Sequence, residues 1–178
     1  MTSQTLTEAL ARAVDTRGAA VGRGVLAESG QHLTAHLGTG PYIVVADENT
    51  WAAAGEQLTS SLEEAGCATV APLIFPGTPI LYASYENCET IKAQMGDALP
   101  IALGSGTLND LVKLAAFEMG RDYAVVGTAA SMDGYTGAGA PKSENAVKVT
   151  RNCKAPVVVN MHLDVLAPAP SFLTASGN

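Results

Sequence analysis

The sequence predicts an α/β fold: a mostly parallel sheet flanked by helices. Three observations predict it. Short apolar runs alternate with segments of helical length, in repeated strand–helix–strand order. Glycine closes helix after helix, at Gly66, Gly96 and Gly120. The chain has 178 residues, 47% hydrophobic and 15% charged, which suits one well-buried domain and excludes a disordered tail.

The elements follow in order. Residues 1–22 read as an N-terminal helical extension of a single domain spanning 1–178. Residues 42–46 form a buried strand that ends at Asp47. Residues 50–65 form a helix. Residues 68–75 form a second strand, with Pro72 inside it pointing to an edge or a bulge. Tyr85 to Met95 is a helix. Leu99 to Leu103 is a third strand, running into Gly104-Ser105-Gly106. Thr107 to Met119 is a helix with Leu108, Leu111, Leu114, Ala115 and Phe117 on its apolar side. Tyr123 to Val126 is a fourth strand, followed by a Gly-rich loop over 127–141. A C-terminal β-hairpin is expected within 142–164, with Ala146–Val149 and Pro156–Val159 as its arms.

The formal net charge is −7, from 10 Lys and Arg against 17 Asp and Glu. That balance speaks against a partner such as nucleic acid or an anionic membrane. Residues 1–91 hold 10 acids and 3 bases, whereas 92–178 hold 7 of each. An anionic ligand therefore favours the second half, where Lys142, Lys148, Arg151 and Lys154 cluster. No apolar stretch approaches the ~20 residues of a membrane helix. The N-terminus lacks a signal-peptide pattern. Cys67, Cys88 and Cys153 are scattered, as reduced thiols of a cytoplasmic protein are.

Ligands of parallel sheets bind outside the C-terminal strand ends, where strand order reverses. Asp47, Phe75, Gly104 and Thr128 stand at such ends. At Gly104-Ser105-Gly106-Thr107, glycine lets backbone N–H groups approach a phosphate, and the helix N-terminus adds a positive dipole end. Thr107 and Asp110 have capping-box spacing. A tight capped turn without a ligand is the competing reading. The run is neither the dinucleotide fingerprint, whose third glycine would fall at Asn109, nor a P-loop.

Gly127-Thr128-Ala129-Ala130-Ser131-Met132-Asp133-Gly134 is small and polar. Thr128 and Ser131 offer hydroxyls to a diphosphate or ribose, and Asp133 offers a carboxylate to a substrate hydroxyl. Asp47 either accepts the hydroxyls of an adenosine ribose or starts a helix with Thr50 as cap. His32 and His36 are four apart, a metal-pair spacing without an acidic or Cys partner, and read as a surface helix face. His162 and the three cysteines read as buried structural residues, and Trp51 as helix packing.

The two Gly-rich motifs, with one helix and one strand between them, resemble the sn-glycerol-1-phosphate dehydrogenase family. That family groups with glycerol dehydrogenases, iron-containing alcohol dehydrogenases and dehydroquinate synthases. The similarity runs from about Gly24 onward. It implies a Rossmann-like domain that binds NAD or NADP. Carried over, Gly104, Ser105, Gly106 and Thr107 contact the diphosphate, and Asp110 braces the turn near the nicotinamide. Thr128 and Ser131 contact the nucleotide, Asp133 contacts the polyol substrate, and Asp47 holds the adenosine ribose. Many relatives carry three glycines where this chain has Gly-Ser-Gly.

The resemblance also implies a helical second domain and a Zn²⁺ or similar divalent metal in the intact enzyme. An Asp just beyond a segment like 170–177 and two His of the helical domain hold that metal in the family. None of His32, His36 and His162 matches those ligands. The expectation is the NAD(P)-binding domain of a dehydrogenase for a small polyol phosphate, inactive by itself and open to homo-oligomerisation. A dehydroquinate synthase-like or glycerol dehydrogenase-like enzyme, or a non-catalytic nucleotide-binding module, is the alternative.

Overall fold

The structure, a computed structural model, describes residues 3–104, 106–128, 140–144, 147–151 and 153–163. Helix α1 is Ser3–Arg12, strand β1 Gly18–Gly22, helix α2 Val25–Leu37 and strand β2 Tyr42–Asp47. Helix α3 (Glu48–Glu64), strand β3 (Leu73–Phe75), helix α4 (Tyr85–Met95) and strand β4 (Leu99–Gly104) follow. Then come helix α5 (Gly106–Glu118) and strands β5 (Ala124–Gly127), β6 (Ala140–Glu144), β7 (Val147–Arg151) and β8 (Val158–His162).

Six strands form one sheet in the order β1-β8-β5-β4-β2-β3, every pair parallel. Strand side chains alternate between two cores. Ile43, Val45, Ala102, Val125 and Val159 meet Ile91, Met95, Leu108, Leu111 and Ala115 of α4 and α5. Val44, Ala46, Ile101, Leu103 and Val126 meet Leu26, Leu33, Leu58 and Leu62 of α2 and α3. Both faces are buried, which is why these strands read as continuous apolar runs. Each fully buried Leu or Ile contributes about 1.5–3 kcal/mol relative to exposure.

Local signals set the helix ends. Ser84 caps α4 by accepting the Asn87 N–H at 3.3 Å. Gly66, Gly96 and Gly120 have positive φ after their helices, where glycine costs least. Strand β3 is the sheet edge, as Pro72 indicates, but it is shorter than the expected 68–75. Only Thr69 of the preceding stretch adds a bridge, to Tyr42.

Two expectations are corrected. Within 1–22, expected to be helical, Gly18–Gly22 is edge strand β1, paired with β8. Its Gly-Ala-Ala-Val-Gly sequence carries little intrinsic strand preference, so the pairing makes the strand. The hairpin is present, but its arms are β6 and β7. The apolar run expected as its second arm leads into β8, which lies between β1 and β5 inside the parallel sheet. An apolar run signals a buried strand without stating the direction of its neighbour. Among the described residues, no helix is long and apolar enough to cross a membrane.

Candidate nucleotide site

Strand order reverses between β2 and β4: the chain adds β3 on one side of β2, then crosses to β4 on the other. The helices that follow β2 and β4 pack on opposite faces, which is the switch-point arrangement at whose C-terminal strand ends α/β sheets bind ligands. Val45 pairs with Ala102, and the same register carried two residues on sets Asp47 level with Gly104. Gly104 pairs with Gly127, and the Thr128 N–H donates to the Gly104 carbonyl at 3.3 Å. Three neighbouring strands thus deliver Asp47, Gly104 and Thr128 side by side. Gly104 and Thr128, 24 residues apart in the chain, thereby become neighbours.

Asp47 is the N-cap of α3. Its Oδ1 accepts the Thr50 N–H at 2.8 Å, while the Asp47 N–H donates to Thr50 Oγ1 at 3.0 Å. The helix-start reading holds, with Asp47 rather than Thr50 as the cap and Thr50 as its partner in the first turn. The half-buried carboxylate still stands at the strand end, so capping leaves the ribose reading open. Replacing Asp47 by Ala is expected to destabilise the fold by ~1 kcal/mol through loss of the cap, and Ser to restore most of it. Thermal melts of the two variants check this.

Helix α5 starts at Gly106, one residue earlier than expected. Gly106 is buried and Thr107 half-buried in the first turn. Thr107 therefore lies inside the helix and is not its cap. A Cβ at Gly104 would run into Leu108, which is 1% exposed, so glycine lets the strand end close onto the helix. The Asp110 carboxylate lies 3.6 Å from the Lys113 ammonium, at 15% and 1% side-chain exposure. Burial raises the Asp110 pKa, and Lys113 partly offsets the rise. Beneath them the Tyr123 hydroxyl donates to Asn109 Oδ1 at 3.2 Å. Burial is the main cause that raises the Tyr123 pKa, with Asp110 next.

Sequence reasoning missed Lys113 and Asn109. A lone Lys three residues after Asp110 in an otherwise apolar helix was the available signal. Ser105, Ser131 and Asp133 lie outside the described residues. So do the side chains of Lys142, Lys148 and Arg151, whose backbone sits on β6 and β7. Cys67, Cys88 and Cys153 are buried and not in disulfides, and His162 is buried at the end of β8. Trp51 packs against the α2–α3 core. His32 and His36 are half-buried on α2 at the far side of the sheet, where burial, His32 and Arg17 lower the His36 pKa. Among the described residues, no group of three or more His, Cys, Asp or Glu could hold a metal ion.

The sequence profile of the iron-containing alcohol dehydrogenases matches residues 20–170. A Bacillus velezensis protein named glycerol-1-phosphate dehydrogenase [NAD(P)+] is 34% identical over 76% of this chain. A Methanosarcina barkeri protein of the same name is 29% identical over 88% of the chain. The chain spans 35% and 43% of the lengths of these two relatives. Glycerol dehydrogenase from Schizosaccharomyces pombe superposes with a TM-score of 0.77 at 20% identity, over 93% of this chain and 42% of that one. The NADH-dependent butanol dehydrogenase A of Thermotoga maritima superposes at 0.75 and 16% identity, over 90% and 46%. With a family profile matched across most of its length and the same Rossmann-like sheet, this chain belongs to the iron-containing alcohol dehydrogenase family.

Proposed function

We propose that this chain is the NAD(P)-binding part of an oxidoreductase acting on a small polyol phosphate such as sn-glycerol 1-phosphate, with dihydroxyacetone phosphate as the oxidised partner. The observation that carries the reading is the alignment of Asp47, Gly104 and Thr128 at the strand-order reversal, with the N-terminus of α5 opening beside Gly104. The names of the relatives support the substrate class and the cofactor.

The donor set fits a dinucleotide. Backbone N–H groups of the first turn of α5, at Gly106 and Thr107, face a diphosphate. Thr128 adds a hydroxyl beside it, and the family resemblance assigns Ser105 and Ser131 to the same ligand. Asp47 takes the ribose, and its charge disfavours a 2′-phosphate, so NAD is preferred over NADP. Asp133 meets the substrate hydroxyl, and the Lys142–Lys154 cluster meets the substrate phosphate. Bound nicotinamide supplies the hydride chemistry, while the chain's own residues bind and orient it. The divalent metal that the resemblance implies finds no group of three or more His, Cys, Asp or Glu among the described residues. In this reading the 178 residues bind dinucleotide without turnover, in the cytoplasm, as part of a larger and self-associating enzyme.

Titration of the purified chain with NADH, read by fluorescence, tests the proposal. Gly106→Val puts a branched side chain at a buried position in the phosphate turn and is expected to weaken binding by about 1–3 kcal/mol. Equal affinity in a folded variant, verified by circular dichroism, would remove α5 from the site. Asp47→Ser keeps a cap and removes the charge, so the preference for NAD should narrow while the melting temperature holds. Wild-type protein that binds NADP as tightly as NAD would show that Asp47 does not face the ribose.

A further inference from the structure

Strand β1 is the sheet edge opposite β3 and pairs with β8 alone. Its Gly-Ala-Ala-Val-Gly run has little intrinsic strand preference and few side chains to pack. Local opening of a sheet begins at elements of this kind. Backbone bonds and two imidazoles close the start of the strand. The Arg17 and Gly18 N–H groups both donate to the Val157 carbonyl, at 2.8 and 3.1 Å, and the Thr16 hydroxyl donates to the Pro156 carbonyl at 2.7 Å. Over Gly18 lie the rings of His32 and His36 from α2. A Cβ built there would stand 2.6 Å from His36 Nε2 and 2.9 Å from His32 Nε2, so the imidazoles fill the place of a side chain and press on the strand directly. The two rings meet edge to face, with centroids 5.1 Å apart.

The surroundings suit neutral imidazoles. Asn160 Nδ2 donates to Ser29 Oγ at 2.9 Å, which turns Asn160 Oδ1 toward His32 as an acceptor. His32 Nδ1 lies 2.6 Å from that oxygen and carries the ring proton, so a second proton goes to Nε2, against Gly18 and His36. Arg17 comes from the segment entering β1, and its guanidinium pairs with Asp122 at 3.3 Å. Asp15 of the same segment accepts the Ala155 N–H at 3.0 Å. Glu28 lies one turn before His32 on α2, beside the cavity that His32 lines. Strand β8 brings Asn160 and, at its far end opposite Gly22, His162. Helix α3 packs on the Gly30 side of α2 through Ser61. None of these carboxylates holds a proton on His36: burial, then His32, then Arg17 all lower its pKa.

We propose that His32 and His36 form an acid-released latch on the sheet edge. With neutral rings they seat β1 against β8. When both carry a proton, two cations beside Arg17 push off Gly18, and the segment from Thr16 to Gly22 leaves the sheet. The closed pair holds at most one proton and the opened pair holds two, so opening takes up one proton. A base whose folded pKa lies below its unfolded value favours the closed form above the unfolded value, about 6.5 for histidine, and that support is lost as pH falls below it. Release bares the backbone edge of β8 and the apolar contact of Ala19 with the core around Val159. The latch is independent of the nucleotide reading, since Gly18 begins its strand and the proposed nucleotide site lies at strand C-terminal ends.

Hydrogen exchange of the 178-residue chain between about pH 5 and 7.5, corrected for the intrinsic pH dependence of exchange, tests the latch. Protection of the amides of 18–22 that face β8 should fall roughly tenfold per pH unit below about 6.5, the slope of one proton, while protection of Leu99–Gly104 at the sheet centre holds. His36→Gln cannot charge, so its β1 protection should be flat over the same range. In the wild-type chain the imidazole NMR signals of His32 and His36 should titrate together with the Gly18 amide, a readout that needs no variant. Flat wild-type protection, an equal loss at Leu99–Gly104, imidazoles that titrate without moving Gly18, or a folded His36→Gln chain with the wild-type slope would overturn the latch.

Discussion

Replacing Gly30 by Ala is expected to lower stability more than any other small substitution in the described core. Gly30 lies on α2 where that helix crosses α3. A Cβ there would overlap the Ser61 carbonyl oxygen and stand 2.9 Å from the Ala65 methyl. The clash is with backbone, so no rotamer change relieves it. The same crossing is pinned by polar contacts. The Gly30 N–H donates to Ser61 Oγ at 2.9 Å, and the Ser61 hydroxyl donates to the Ala27 carbonyl at 2.7 Å. Forcing the helices apart strains both bonds and opens the core around Leu26, Leu33, Leu58 and Leu62. Overpacking costs about 1–3 kcal/mol when side chains yield, and a backbone clash belongs at or above that upper end. Denaturant unfolding of wild type and Gly30→Ala measures it. A midpoint within error of wild type would mean that the helices do not cross this closely.

Lys113→Met should destabilise the protein by about 2–3 kcal/mol and change how its stability depends on pH. The Lys113 side chain is 1% exposed and faces an Asp110 carboxylate that is itself mostly buried. Met conserves the volume of the stem but removes the charge, so Asp110 is left in low dielectric without its cation. Breaking a buried pair in this way costs several kcal/mol, and the residual exposure of Asp110 places the effect at the lower end. The Asp110 pKa is already raised by burial in the wild type. An acid whose folded pKa lies above its unfolded value binds more protons when folded. Its contribution to stability is therefore complete at low pH and is lost as pH rises from the ordinary aspartate value through the folded pKa. Without Lys113 the folded pKa rises further, so the loss extends to higher pH and grows. Unfolding curves between pH 4 and 8 should show the variant falling away from wild type as pH increases. Parallel profiles would show that Lys113 does not hold Asp110.

How far local chemistry reached is visible element by element. The helix Tyr85–Met95 is legible to the residue, because Ser84 and Gly96 mark its ends by capping and positive φ. Tyr42–Asp47 and Leu99–Gly104 are legible because strands buried on both faces are continuously apolar. The Gly-rich turn after Leu103 and the acid at position 47 are legible as strand-end chemistry. Gly18–Gly22 was not legible, since its small residues carry no strand preference until β8 pairs with them.

The sequence by itself determined the α/β class, the span of the helix Tyr85–Met95, the edge character of β3 and the Gly-rich turn after Leu103, because capping, proline, glycine and periodicity act within a few residues. Tertiary structure alone decided that β8 runs parallel between β1 and β5, that Asp47, Gly104 and Thr128 stand level, and that Lys113 is buried against Asp110. It also decided that His32 and His36 meet over Gly18. Those facts depend on which strands become neighbours across crossovers of many residues. No local preference encodes that choice: it is made by the burial of both sheet faces at once.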